Sequence, residues 1–179
     1  EDYVSLDRRI EAETGDIRAE TFFSGLESGG GVCAKFLLRG KAMEEKAQNL
    51  RGLVSDCLNR VNLDNRDRFL QILLEEKAQM EEALIPSGHR FVDHRLRARF
   101  HLADWAKEHT GGVSYLLFLR YLLDRVHKDW EGVREDLHRT WTALVNGRGV
   151  LANLTAEVSG RKAIEPGLWD LLAALPREE

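Results

Sequence analysis

Asp16-Ile17-Arg18-Ala19-Glu20-Thr21-Phe22-Phe23-Ser24 and, beyond Gly29-Gly30-Gly31, Val32-Cys33-Ala34-Lys35-Phe36-Leu37-Leu38-Arg39 are the two stretches that set the fold class. Ile17, Ala19, Thr21 and Phe23 alternate with Arg18, Glu20, Phe22 and Ser24, the period of a half-buried strand. Val32, Ala34, Phe36 and Leu38 alternate in the same way with their neighbours. The glycines between permit a turn, so the segments are expected to pair as an antiparallel hairpin. Residues 1–42 are therefore read as a strand hairpin.

From Met43 the period changes. Met43, Ala47, Leu50, Val54, Cys57 or Leu58, and Val61 recur at helical spacing. Asp64 or Asn65 is placed to cap a second helix carrying Phe69, Leu73, Met80 and Leu84, which Ile85-Pro86-Ser87-Gly88 interrupts. A further helix is expected from His89 to about His109, closed at Thr110-Gly111-Gly112 by glycine in the left-handed conformation. Ser114 is placed to cap the next, where Tyr115, Leu119, Leu122 and Val126 form a stripe that Leu116, Leu117, Phe118 and Leu123 widen, implying burial on more than one side. Trp130, Val133, Leu137, Trp141 and Leu144 draw another stripe, stopped by Asn146-Gly147. Val150 to Ala156 reads as a third strand, and Ile164, Leu168, Leu171 or Leu172, and Leu175 as a last helix with Pro166 in its first turn. Residues 43–147 are thus the helical region and 148–179 a strand plus helix. Strands followed by a run of helices, without regular alternation, define an α+β, helix-rich module whose small, mostly antiparallel sheet packs on one face. No linker or repeat divides the chain, so 1–179 is read as one domain. Three strands are few for so many helices, and missing sequence is the preferred explanation.

The chain has 179 residues, 43% hydrophobic and 31% charged, which places it among ordered globular proteins. A net charge of -4 argues against nucleic acid as the main partner. No apolar run is long enough to span a membrane. Glu1-Asp2-Tyr3-Val4-Ser5 has neither an initiating Met nor a signal-peptide layout, and is read as a cut end. Cys33 and Cys57 are read as buried thiols of an intracellular protein, and the Asn153-Leu154-Thr155 sequon as chance.

Candidate chemistry is sparse. None of His89, His94, His101, His109, His127 and His138 has the i, i+4 spacing with an intervening Glu that zinc peptidases use. Glu44-Glu45, Glu75-Glu76 and Glu81-Glu82 are neighbours on helices and do not face each other, so they read as solvated ion-pairing faces. Arg90, Arg95, Arg97 and Arg99, with His89, His94 and His101, make the one dense basic stretch; an anionic-peptide or phosphate surface is the functional reading, a charged helix face the plainer one. No phosphate loop, nucleophile elbow or thiol–histidine arrangement is found. Catalytic and metal-ligating residues are expected to be absent.

Pro86-Ser87-Gly88-His89, Trp105 through Leu119, Lys128-Asp129-Trp130-Glu131-Gly132 and the Asn153-Leu154-Thr155-Ala156 stretch together resemble the helical region and following strand of presequence-protease-like peptidases of the pitrilysin/insulinase family. Tyr3 to Asp7 and Phe36 to Met43 resemble the hairpin and first helix of that family's third module. Trp105, Gly111, Gly112, Tyr115, Trp130 and Trp141 carry the likeness, and their role is read as structural. The resemblance implies a processing-peptidase-like fold, truncated at its N-terminal end and belonging to a four-module zinc metalloendopeptidase. The zinc ligands of such enzymes, an inverted His-x-x-Glu-His and a later Glu, lie in the first module, and active-site Arg and Tyr residues in the fourth. Neither set has a counterpart here. The implied role is an inactive wall of a chamber enclosing unstructured peptides, with the remaining modules of the same polypeptide as partners. Zinc is expected in the parent and not in this piece, the setting being bacterial cytoplasm or organelle matrix. An open sheet edge would favour self-association. The alternative is a stand-alone helical module binding a peptide or partner helix through the Ser114 to Val145 surface.

Overall fold

A computed structural model describes residues 3–27, 29 and 31–177 of the chain. The chain opens with a helix, α1 (Tyr3–Glu13), and not with sheet. Leu6 and Ile10, one helical turn apart and half-buried, give this segment an inward face, and the Thr14 hydroxyl donates to the Ile10 carbonyl at 2.7 Å to close it. β1 (Asp16–Gly25) and β2 (Val32–Lys41) then pair as a two-stranded antiparallel hairpin. Gly15 N–H donates to the Lys41 carbonyl at 2.8 Å at one end, and Leu26 N–H to the Gly31 carbonyl at 3.1 Å at the other. The turn needs glycine at position 29, where φ is +77°. Gly30, also read as a turn residue, lies outside the described residues.

A 3-10 turn (Glu44–Lys46) leads into α2 (Ala47–Asn59), so the helix expected from Met43 starts four residues later. α3 (Arg66–Ala83) is capped by Asn65, whose side-chain oxygen accepts from Arg68 N–H at 3.0 Å. The helix expected from His89 to His109 is broken into α4 (Gly88–Arg97) and α5 (Leu102–Gly111) by turns at Ala98 to Phe100. α6 (Val113–Lys128), α7 (Trp130–Leu144) and α8 (Val158–Ala173) complete the order. Two expectations fail near the C-terminus. Val150 to Ala156 is not a strand: among the described residues it has no neighbouring strand to supply a ladder, and Leu151 is 86% exposed. α8 begins eight residues upstream of Pro166, which therefore sits inside the helix, not in its first turn.

The described residues group into two compact units. One comprises the residues up to Glu20, Leu37–Asn62 and those from Arg139 onward. Here α2 packs against α1 and α8 around Leu53, which has no exposed surface. Arg9 pairs with Asp56 at 3.5 Å, Lys46 Nζ donates to the Ala12 carbonyl at 2.7 Å, and Gly147 N–H to the Pro176 carbonyl at 2.7 Å.

The other unit comprises Thr21–Phe36 and Leu63–His138. Its core is Leu73, Leu119, Val126 and Val133, against which Phe69, Met80, Tyr115, Leu122, Trp130 and Leu137 pack. These are the stripe residues of α3, α6 and α7, so helical periodicity located this core. The same reasoning overreached on α6: Leu116 is buried, but Leu117 is 55% and Phe118 50% exposed.

Candidate functional site

The segment that carried the family likeness forms the joint between α5 and α6. α5 ends at Gly111 and α6 begins at Val113, leaving Gly112 alone between them. Its φ of -105° and ψ of -159° are extended backbone open to any residue, so the expected left-handed closure is not used. Space is the reason for glycine. A Cβ at Gly112 would lie 2.7 Å from the Glu108 carbonyl oxygen and 2.9 Å from its Cγ. At Gly111 nothing lies within 4 Å of such a Cβ, and the structure gives no reason for glycine there.

Gly112 makes room for Glu108, which the sequence reading overlooked. Its side chain is 1% exposed, the one buried charged residue among those described. Oε1 accepts from Ser114 N–H at 2.9 Å and from Arg95 Nη1 at 2.9 Å; Arg95 Nη1 also donates to Ser114 Oγ at 2.9 Å. Burial pushes the carboxyl pKa up, but hydrogen bonds from the Ser114 side chain and backbone, and from Arg95, outweigh it and hold the group below its ordinary value. Glu108 therefore clasps α4, α5 and α6 as a carboxylate. Ser114, expected as a side-chain cap, serves instead through its backbone N–H; no side-chain cap bond is made at the α6 start. A glutamate four residues before a glycine was the only signal, and alone it is weak.

The remaining structural residues fall in different places. Trp105 stacks on His109, ring centroids 4.1 Å apart, and is 49% exposed, so it is a surface residue more than a core one. Tyr115 packs on the α3–α6 core, its hydroxyl pKa raised by burial and then by Glu76. Trp130 packs on Phe69 with centroids 5.7 Å apart, while the half-buried Trp141 belongs to the other unit. The expected common seam of the two tryptophans is therefore divided.

His127, His138 and Glu81 make contacts within the fold. His127 Nδ1 bonds the Leu123 carbonyl at 2.7 Å and His138 Nε2 meets Asp64 Oδ1 at 3.1 Å. Glu81 accepts from Lys77 and Arg120, both at 2.8 Å, and these bonds lower its pKa. Among the described residues no group of three or more His, Cys, Asp or Glu side chains is placed to hold a metal. The described residues do not fit a zinc site, and among them no helix is long and apolar enough to cross a membrane. Beside the joint lies a cleft of about 530 Å³ between α4 and α5, bordered by Arg95, Leu96, Arg99, Trp105, His109 and Ser114.

A helix-rich α+β module with no group of three or more His, Cys, Asp or Glu side chains placed to hold a metal among its described residues is the class that fold and site define. The chain belongs to the peptidase M-16C associated family, whose model matches residues 1–122. It is 32% identical over 174 residues to presequence protease 1, chloroplastic/mitochondrial, of Arabidopsis thaliana, covering 97% of this chain and 16% of that protein. It is 29% identical over 119 residues to protein HypA of Clostridium perfringens, covering 66% of this chain and 12% of the relative. An uncharacterized Borreliella burgdorferi protein is 23% identical over 113 residues, 63% of this chain and 11% of its own length. The chain thus spans about a sixth or less of these relatives.

Proposed function

We propose that this chain is a non-catalytic part of a zinc-dependent metalloendopeptidase that degrades short unstructured peptides. It forms part of the wall around the substrate, within the third module of a four-module polypeptide whose other modules supply the zinc site. The observation that carries this reading is a match running through nearly the whole chain to a peptidase of whose length it covers 16%. The joint supports it. Glu108, Arg95, Gly112 and Ser114 fix the direction of three helices, as a shell closing on a substrate requires. The relative's name suggests an organelle as the setting; a bacterial cytoplasm is the alternative.

The test compares the intact parent with the 179-residue chain. The parent should cleave an unstructured peptide and lose that activity to a chelator, while the chain alone neither cleaves nor retains stoichiometric zinc. Zinc in the purified chain together with chelator-sensitive cleavage would overturn the assignment. The exposed Leu117, Phe118 and Tyr121 on α6 favour a second reading, a helical interaction module. That reading requires the isolated chain to bind a partner helix through these residues, and it fails if serine at Leu117 and Phe118 leaves such binding unchanged.

A further inference from the structure

The chamber-wall assignment leaves the basic stretch of α4 and the cleft beneath it without a role. Asp93 pairs with Arg97 at 2.8 Å, Asp104 with Lys107 at 3.4 Å, and Glu108 with Arg95 at 2.9 Å. Every carboxylate between Gly88 and Gly111 is thereby engaged. Arg90 and Arg99 are left with no carboxylate partner among the described residues, although the chain as a whole carries a net charge of -4. Arg99 lies on the cleft.

Apolar surface occupies the same place. Helical spacing puts Val92, Arg95 and Leu96 on one side of α4, and Arg99 continues it in the following turn. Val92 is 58% and Leu96 54% exposed, and across the cleft stands the half-exposed ring of Trp105, stacked on His109. Exposed aliphatic and aromatic side chains beside an unpaired guanidinium form an amphipathic site, and about 530 Å³ accommodates a few side chains rather than a helix.

We infer that this α4–α5 cleft docks an extended acidic peptide, an aliphatic or aromatic side chain of which seats between Leu96 and Trp105 while a neighbouring carboxylate pairs with Arg99. Charge complementarity selects this occupant. A guanidinium takes a carboxylate bidentately, and the buried Glu108 already fixes Arg95 beside it so that the cleft need not rearrange. The inference goes beyond the chamber-wall assignment and stands or falls separately from it.

The experiment titrates the full chain with a short labelled peptide alternating glutamate with leucine, and with its glutamine and lysine counterparts, reading fluorescence anisotropy at two salt concentrations. The glutamate peptide should bind saturably and more weakly at the higher salt. The glutamine peptide should bind about tenfold more weakly, and the lysine peptide not at all. Arg99→Glu should weaken the glutamate peptide about five- to tenfold, and Leu96→Ser should weaken it independently. Both residues are exposed and neither bonds to Glu108, so circular dichroism should show unaltered helix. Equal affinity for the glutamate and glutamine peptides, or binding indifferent to Arg99→Glu, overturns the proposal. So does a dimer of the chain, seen by sedimentation and dissociated by Arg99→Glu, because a second copy would then be the occupant.

Discussion

Glu108 is 1% exposed, and a buried carboxylate persists only where hydrogen bonds replace its lost water. Glu108→Gln keeps the shape but removes the charge that strengthens the bonds from Arg95 and Ser114, so a loss of about 1–2 kcal/mol in urea unfolding is expected. A change under about 0.5 kcal/mol would remove the clasp from consideration. The pH dependence has a defined sign. Because the folded pKa lies below the unfolded one, the contribution of Glu108 is fully present above the ordinary glutamate range. It disappears as pH falls through that range to the depressed folded value. Wild type should therefore lose more stability than Glu108→Gln between about pH 5 and pH 3. The adjacent glycines separate a steric role from a conformational one. Gly112→Ala drives a methyl to 2.7 Å from a backbone oxygen and should cost about 2–3 kcal/mol. Gly111→Ala meets open space within a helix and should be neutral or stabilising by up to about 1 kcal/mol. Similar melting temperatures for the two variants would contradict the steric account.

Among the elements, the legible ones were those whose partners lie nearby in the sequence or whose period is strong. The hairpin was read from alternation and glycine, and α3, α6 and α7 from stripes that now form one core. Val150 to Ala156 misled because alternation describes a strand's faces but cannot provide a neighbour. The α4–α5 break was invisible because Ala98, Arg99 and Phe100 are all compatible with helix. The site was less legible than the fold. Glu108 works through Arg95 and Ser114, 13 and 6 residues away, and no local rule joins them. Pro166 offers an element-scale test. Within α8 it lacks the N–H that would bond the carbonyl four residues back, so Pro166→Ala should stabilise the chain by about 1–3 kcal/mol, measured by thermal unfolding. A destabilised variant would mean that a kink at Pro166 is needed for packing on α2.

For the molecule as a whole, among the described residues, His127 and His138 are engaged in hydrogen bonds, and no group of three or more His, Cys, Asp or Glu side chains is placed to hold a metal. A chelator should therefore shift the thermal midpoint of the chain by less than about 1 °C, whereas loss of a structural metal lowers stability by several kcal/mol. A fall of many degrees in EDTA would reveal a ligand set that the fold does not suggest.

The division of the chain between its two units has a consequence for biosynthesis. Every part of the unit built on α3 and α6 has left the ribosome once His138 has emerged. The unit built on Leu53 cannot finish then: α1 and α2 are made before it, but α8, which packs on α2, is made only after α7. For the time needed to translate some forty further residues, a nascent chain would hold one completed core and one exposed leucine face. A chaperone that captures this protein during synthesis should therefore find its binding site on α2.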